Sequence, residues 1–288
     1  MRKILFCSIL FSMMFISCKQ TSQNSNSVNE DIQLIEKGEV IAGINLTVSE
    51  GKRLIAKGIL NTPRIREKLE NGMIIITRGT TNTYIAEELA NLSSPHGSFL
   101  TGHFVPEGAQ RVGKDVEQKK EIVLENGKVV DLSYEDALKK LKKGDIIFKG
   151  GNLLNYERKQ AAVCIGAPDG GTTYRLLPYV GAEKAELIIP IGLEKETSAN
   201  LRDYEKALDN KNQKLNFVPK LHLYKEGTIF TEIEALKQFA NVKAFPYGVG
   251  GVANREGGVS LVIVGVKSEV EKILSLVKSI QGEKPFGE

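Results

Sequence analysis

Four consecutive residues, Met73-Ile-Ile-Ile76, constrain the fold of this chain most, because they form an unbroken apolar run bounded by Gly72 and Gly79. A strand that is apolar at every position needs cover on both faces, which is the condition of a parallel strand between layers of helix. Three further runs end in glycine turns. Asp145–Phe148 leads into Lys149-Gly150-Gly151-Asn152, Ala161–Ile165 into Gly166 and Gly170-Gly171-Thr172-Thr173, and Leu187–Ile189 into Pro190-Ile191-Gly192. Helical spacing falls between them. Ser49-Glu50-Gly51-Lys52 precedes Leu54, Ile55 and Ile59; Thr62-Pro63 precedes Ile65 and Leu69; Ile85 and Leu89 share a face. Ser133 and Asp136 have capping-box spacing ahead of Ala137, Leu138 and Leu141. The expected class is α/β.

Other stretches qualify that reading. Ile122–Leu124, Asn126-Gly127 and Val129-Val130 predict a hairpin, since Asn-Gly supplies the positive φ angles of a two-residue turn. Residues 92–118 lack periodicity and are expected to form a long loop. Residues 196–214 predict an exposed helix and linker around Tyr204 and Leu208. From residue 215 the pattern is strand (Leu221–Tyr224), helix (Thr231–Phe239), strands (Val242–Phe245 and Val259–Val264) and helix (Ser268–Ile280). In the last helix Val270, Ile273, Leu274 and Val277 point inward. That β-α-β-β-α order predicts a ferredoxin-like α+β subdomain over 215–288. Gly248, Gly250, Gly251, Gly257 and Gly258 lie between two of its strands, so they form a loop and no dinucleotide fingerprint.

The amino terminus predicts export. Arg2 and Lys3 precede the apolar run Ile4–Ile16, then Ser17 and Cys18, the order of a lipoprotein signal over residues 1–17 with Cys18 as the acylated residue. The run is shorter than the roughly 20 residues of a spanning helix. Lys19–Asn29 is a polar tract suited to a tether, expected over 18–45, ahead of an α/β core over 46–214. The predicted location is the cell envelope, outside the cytoplasm and anchored to a lipid bilayer through Cys18. Removal of residues 1–17 leaves 37 basic against 35 acidic side chains, too even a balance to require nucleic acid. Cys164 is then the one remaining thiol apart from Cys18, so no intramolecular disulfide is expected, and its apolar strand predicts a buried, inert group.

The sharpest constellation is a strand followed by Gly79-Thr80-Thr81-Asn82-Thr83 and a helix. Glycine permits close backbone approach, and the amides and hydroxyls of Thr80, Thr81 and Thr83 sit at the positive end of a helix dipole, which favours an anion such as phosphate. The alternative is that Thr and Asn cap the helix. Gly171, Thr172 and Thr173 repeat the chemistry, and two such turns on one sheet would face one crevice. Glu194 and Lys195 follow a strand and read either as an acid–base candidate or as a surface ion pair. His96 and His103, with Glu107 near, could meet only if their loop folds back, so no metal site is expected, and no motif calls for a cofactor. His222 is expected on a strand surface.

Gly79–Leu89 and Ile147-Phe-Lys149-Gly150-Gly151, with Glu157-Arg158 shortly after, resemble the phosphate turn and Lys-Gly-Gly segment of type A ribose-5-phosphate isomerases. More broadly the chain resembles the superfamily that also holds glucosamine-6-phosphate deaminases, sugar-responsive repressors and coenzyme A transferases. The resemblance implies a Rossmann-like, mostly parallel core with a small ferredoxin-like subdomain. It also implies substrate binding by Lys149 with Gly150 and Gly151, and catalysis by Glu157. Lys139–Asp145 stands where that family carries an Asp-Gly-Ala-Asp-Glu stretch, so a ligand site is expected more firmly than pentose isomerisation. The competing expectation is a non-enzymatic envelope scaffold that binds a partner protein.

Overall fold

A computed structural model describes residues 35–209 and 213–286, so the expected signal peptide and Cys18 lie outside the described residues. The chain begins β1 (Glu39–Leu46), α1 (Val48–Asn61), α2 (Pro63–Glu70), β2 (Met73–Ile76) and α3 (Thr80–Ala90). After a long loop come β3 (Ile122–Glu125), β4 (Lys128–Val130), α4 (Tyr134–Lys140), β5 (Ile146–Phe148), β6 (Leu153–Asn155), β7 (Gln160–Ile165) and α5 (Gly171–Leu176). Then follow β8 (Glu186–Pro190), α6 (Leu201–Leu208), β9 (Lys220–Leu223), β10 (Thr228–Phe230), α7 (Glu232–Lys237), β11 (Lys243–Val249), β12 (Val259–Val266) and α8 (Lys267–Ile280). Among the described residues no helix is long and apolar enough to cross a membrane.

The fold is mixed α/β. Its largest sheet has the order β10-β8-β5-β2-β3-β4. The first four strands run parallel, as their continuous apolar runs require, and all of Ile74–Ile76 and Ile146–Phe148 is buried. The sheet is mixed because β2 pairs antiparallel with β3, and Asn126 (φ 51°) and Gly127 (φ 74°) turn β3 tightly into β4.

Two smaller antiparallel sheets depart from the sequence expectation. In β1-β12-β11, β1 pairs with β12 over its whole length, from Glu39 with Val266 to Leu46 with Val259. The tether expected up to residue 45 therefore gives way to a strand at Glu39. Its cause is the alternation of Val40, Ala42, Ile44 and Leu46 toward the core while Ile41, Gly43 and Asn45 face outward. In β6-β7-β9, β9 pairs with β7 across the boundary expected at 214/215, while β10 joins the largest sheet. The C-terminal strands are thus shared among three sheets and do not close on themselves. Leu274 is exposed instead of inward, because α8 buries only the stripe Val270, Ile273, Val277 and Ile280.

Helices α3 and α7 begin just past the carboxyl ends of the parallel strands β2 and β10. Glycine permits the tight approach of α1 to α7: a β-carbon on Gly58 would lie 2.5 Å from Ala235 Cα. Parallel sheets place ligands along this edge.

Candidate functional site

The first turn of α3 is uncapped. Thr77 closes β2 against β5, giving its amide (3.1 Å) and hydroxyl (2.8 Å) to the Phe148 carbonyl. Asn82, expected as a possible cap, turns its amide nitrogen back to the Thr77 carbonyl (2.8 Å) and Phe148 carbonyl (3.1 Å). The Thr83 hydroxyl donates to the Gly79 carbonyl at 2.9 Å. Gly79 occupies the N-cap without a side-chain cap, so the amides of Thr80, Thr81 and Asn82 have no capping acceptor. Gly79 is extended, and a β-carbon there would meet only Asn82 Cβ at 3.9 Å, so the fold itself does not demand glycine. The Asn82 carboxamide oxygen is buried with no partner.

Lys149, the residue after β5, sits beside this turn. It is 7% exposed, and among the described residues its ammonium makes no hydrogen bond or ion pair. Burial pulls it down to about 8, with the Glu121 carboxylate opposing and Arg78 reinforcing the shift. Glu121 is itself engaged by Arg78, Nε to Oε1 at 3.1 Å. Two buried phenols frame the same region. Tyr134 at the start of α4 donates to the Thr172 carbonyl (3.0 Å), and Tyr224 donates to the Gly150 carbonyl (3.0 Å). Burial raises both phenols, so they remain protonated. Gly151 is tightly packed, since its β-carbon would lie 3.0 Å from the Ala162 carbonyl oxygen.

The structure therefore groups Gly79, Thr80, Thr81 and Thr83 with Lys149 and Gly150. It treats the second Gly-Thr-Thr turn differently. β7 belongs to another sheet, and the Gly171 amide is already taken by the Asp169 carboxylate at 2.9 Å, a chain-borne anion at the start of α5. Thr172 and Thr173 reach the Lys149 region only through Tyr134 and Tyr224. Glu157 is exposed in the β6–β7 turn, and its charge acts on Glu196 and not on Lys149, so it is not brought to the lysine.

A second group lies at the ends of β8 and β10. Lys52, Glu194, Lys195 and Glu232 are mutually within electrostatic reach. Glu194 pairs with Lys195, and both are largely buried, which corrects the reading as a surface pair. Glu232 Oε2 accepts from the Leu193 amide at 2.9 Å. Burial, reinforced by the Glu194 charge, raises Glu232 to about 8. Despite its own burial, Glu194 is lowered by the two lysines. Lys52, down to about 8 through burial and Lys195, lies 5.6 Å from the Phe286 ring centre. The sequence reading singled out Glu194 and Lys195 but missed Lys52 and Glu232.

The remaining candidates are accounted for locally. His96 pairs with Glu87 at 2.8 Å, and His103 Nε2 accepts from the Val112 amide at 3.1 Å. No metal-binding cluster is found among the described residues. His222 is largely buried against Tyr174 and Tyr224 and not on the surface, and burial lowers it. Cys164 is half-buried, and burial raises its thiol. A surface cavity lined by His96, Arg111, Val112 and Asp115 lies apart from both charged groups. Its lining is a loop with no unpaired buried charge, so the site is placed at Lys149. Comparison with protein-family models, curated proteins and solved structures finds no match to this chain.

Proposed function

We propose that this chain is a lipid-anchored envelope protein whose isomerase-like α/β body binds a small anionic, phosphate-bearing ligand between the start of α3 and Lys149. The observation that carries the reading is an uncapped helix start beside a buried lysine that makes no ion pair among the described residues. The free amides, the helix dipole and the ammonium all favour negative charge, and together they exceed what Glu121, already held by Arg78, supplies in return. Four parallel strands with the turn at a carboxyl end support a Rossmann-like core of the sugar-phosphate-isomerase kind. Glu157 has no part in it as placed. Inorganic phosphate and sugar phosphates should raise the melting temperature, and Thr80→Ala/Thr81→Ala should shrink the shift. Equal shifts in variant and parent would sink the reading.

Anchoring rests on Cys18, which follows the apolar run and precedes the polar tract. Acyl chains bind bilayers by about 0.8 kcal/mol per buried methylene, and two or more hold a soluble body firmly. Cys18→Ser should abolish labelled-palmitate incorporation and membrane partitioning, while Cys7→Ser should leave both intact. Label retained in Cys18→Ser would remove the envelope location from the proposal.

A further inference from the structure

The structure assigns Lys149 a reactive role: we propose that its ε-amine forms an imine with the carbonyl carbon of a phosphate-bearing aldehyde or ketone whose phosphate rests on the first turn of α3. The inference deepens the anion-binding reading and depends on it. Holding phosphate alone would be served by a paired or solvent-facing cation, whereas a lysine side chain 93% buried as a residue and with no ion pair among the described residues is a costly way to carry charge. The same environment suits an amine that must be neutral to react, since a desolvated lysine loses its proton readily. The Phe148 carbonyl, immediately before Lys149, accepts the Asn82 side-chain amide at 3.1 Å, so the lysine departs from the sheet where α3 begins.

The chemistry balances without a further reactant. The nitrogen lone pair adds to the carbonyl carbon, and the carbonyl oxygen leaves as water with the two amine hydrogens. A carbon–nitrogen double bond remains, and nothing is oxidised or reduced. Tyr134 and Tyr224 are held as neutral phenols and Glu121 is tied to Arg78, so no free carboxylate pairs with the amine and restores its charge.

Lys52 supplies an internal control. It is equally buried, but its helix is closed by the Thr47–Glu50 capping box and its ammonium faces Glu194 and Phe286. It has no open helix start to receive a phosphate.

The test uses pyridoxal 5′-phosphate and phosphate-free pyridoxal on the full chain near the lysine's own pKa of about 8, with borohydride reduction and peptide mapping. Pyridoxal 5′-phosphate should modify Lys149 ahead of every exposed lysine and of Lys52. Pyridoxal should label Lys149 about tenfold more slowly, and inorganic phosphate should protect it from the phosphorylated probe. Lys149→Arg should lose the adduct while keeping stabilisation by phosphate, because the charge remains. Label spread over exposed lysines, or phosphate stabilisation with no Lys149 adduct, overturns the imine and leaves the anion site standing. No response to phosphate in the parent overturns both.

Discussion

Two lysines at one edge of one sheet are buried alike and surrounded differently. Lys52 and Lys149 are each 7% exposed, and burial brings each to about 8. Around Lys52 the chain supplies a second cation in Lys195, but also the Glu194 carboxylate, the raised carboxyl of Glu232, a capped helix and an aromatic ring. Around Lys149 it supplies a second cation, one carboxylate already spoken for, and an open helix start. Burial alone therefore does not mark a site; burial without compensation does, because the missing counter-charge is what a ligand can bring.

The comparison breaks most visibly at the lysines themselves. With its folded value lowered from 10.5 to about 8, Lys149 destabilises the native state below pH 8. Between about 8 and 10.5 the unfolded chain binds more protons, so stability rises with pH across that window. Lys149→Met should thus gain up to about 3 kcal/mol at neutral pH, with the gain gone by pH 10.5. Lys52→Met should gain a similar amount, since its value of about 8 already includes the attraction of Glu194 and Glu232. Urea denaturation at pH 7 and at the alkaline end would show both gains, and inorganic phosphate at pH 7 should shrink the Lys149→Met gain alone; equal shrinkage would mean that compensation does not separate the two.

Glycines sharpen the same contrast at smaller scale. A β-carbon on Gly51 would lie 2.7 Å from Glu232 Oε1, and Glu232 cannot swing freely while its other oxygen holds the Leu193 amide. Gly51→Ala should cost about 2 kcal/mol and leave phosphate binding unchanged. Gly79→Ala meets no close atom and should barely alter stability, yet its methyl group would intrude where a ligand approaches the α3 amides. Calorimetry with inorganic phosphate on both variants separates a packing glycine from a binding one. The contrast fails if Gly79→Ala binds phosphate as the parent does.

What could be read beforehand follows the range of the interactions. Met73–Ile76, the Asn126-Gly127 turn and the Ser133 cap are local signals, and each produced its element. The start of α3 was also legible, because strand, glycine and helix adjoin in sequence. Strand β1 carried a visible alternation, but the polar tract before it masked the boundary. Lys52 carries no local signal; Glu232 and Phe286, which stand near it, lie far along the chain. Glu194-Lys195 read either as an acid–base candidate or as a surface pair, because the residues that enclose it lie elsewhere in the chain. The second Gly-Thr-Thr turn misled because composition does not reveal sheet membership, nor that Asp169 already serves its helix.

The finest cut falls on a single amide. Thr80 is the first residue of α3, where proline is well tolerated because the lost N–H has no intrahelical acceptor and the ring's fixed φ suits a helix start. Gly79 before it is extended, φ 167° and ψ 161°, as a residue preceding proline must be. Thr80→Pro should therefore keep α3 and change stability by less than about 0.5 kcal/mol. It removes one amide donor and one hydroxyl from the first turn, however, and a hydrogen bond to a charged acceptor is worth about 1.5–3 kcal/mol, so phosphate affinity should fall at least about tenfold. Lys149 is untouched in this variant, so any loss of binding belongs to the helix start. Unchanged phosphate affinity in a folded Thr80→Pro chain would take the anion off the α3 amides and leave Lys149 to explain the binding alone.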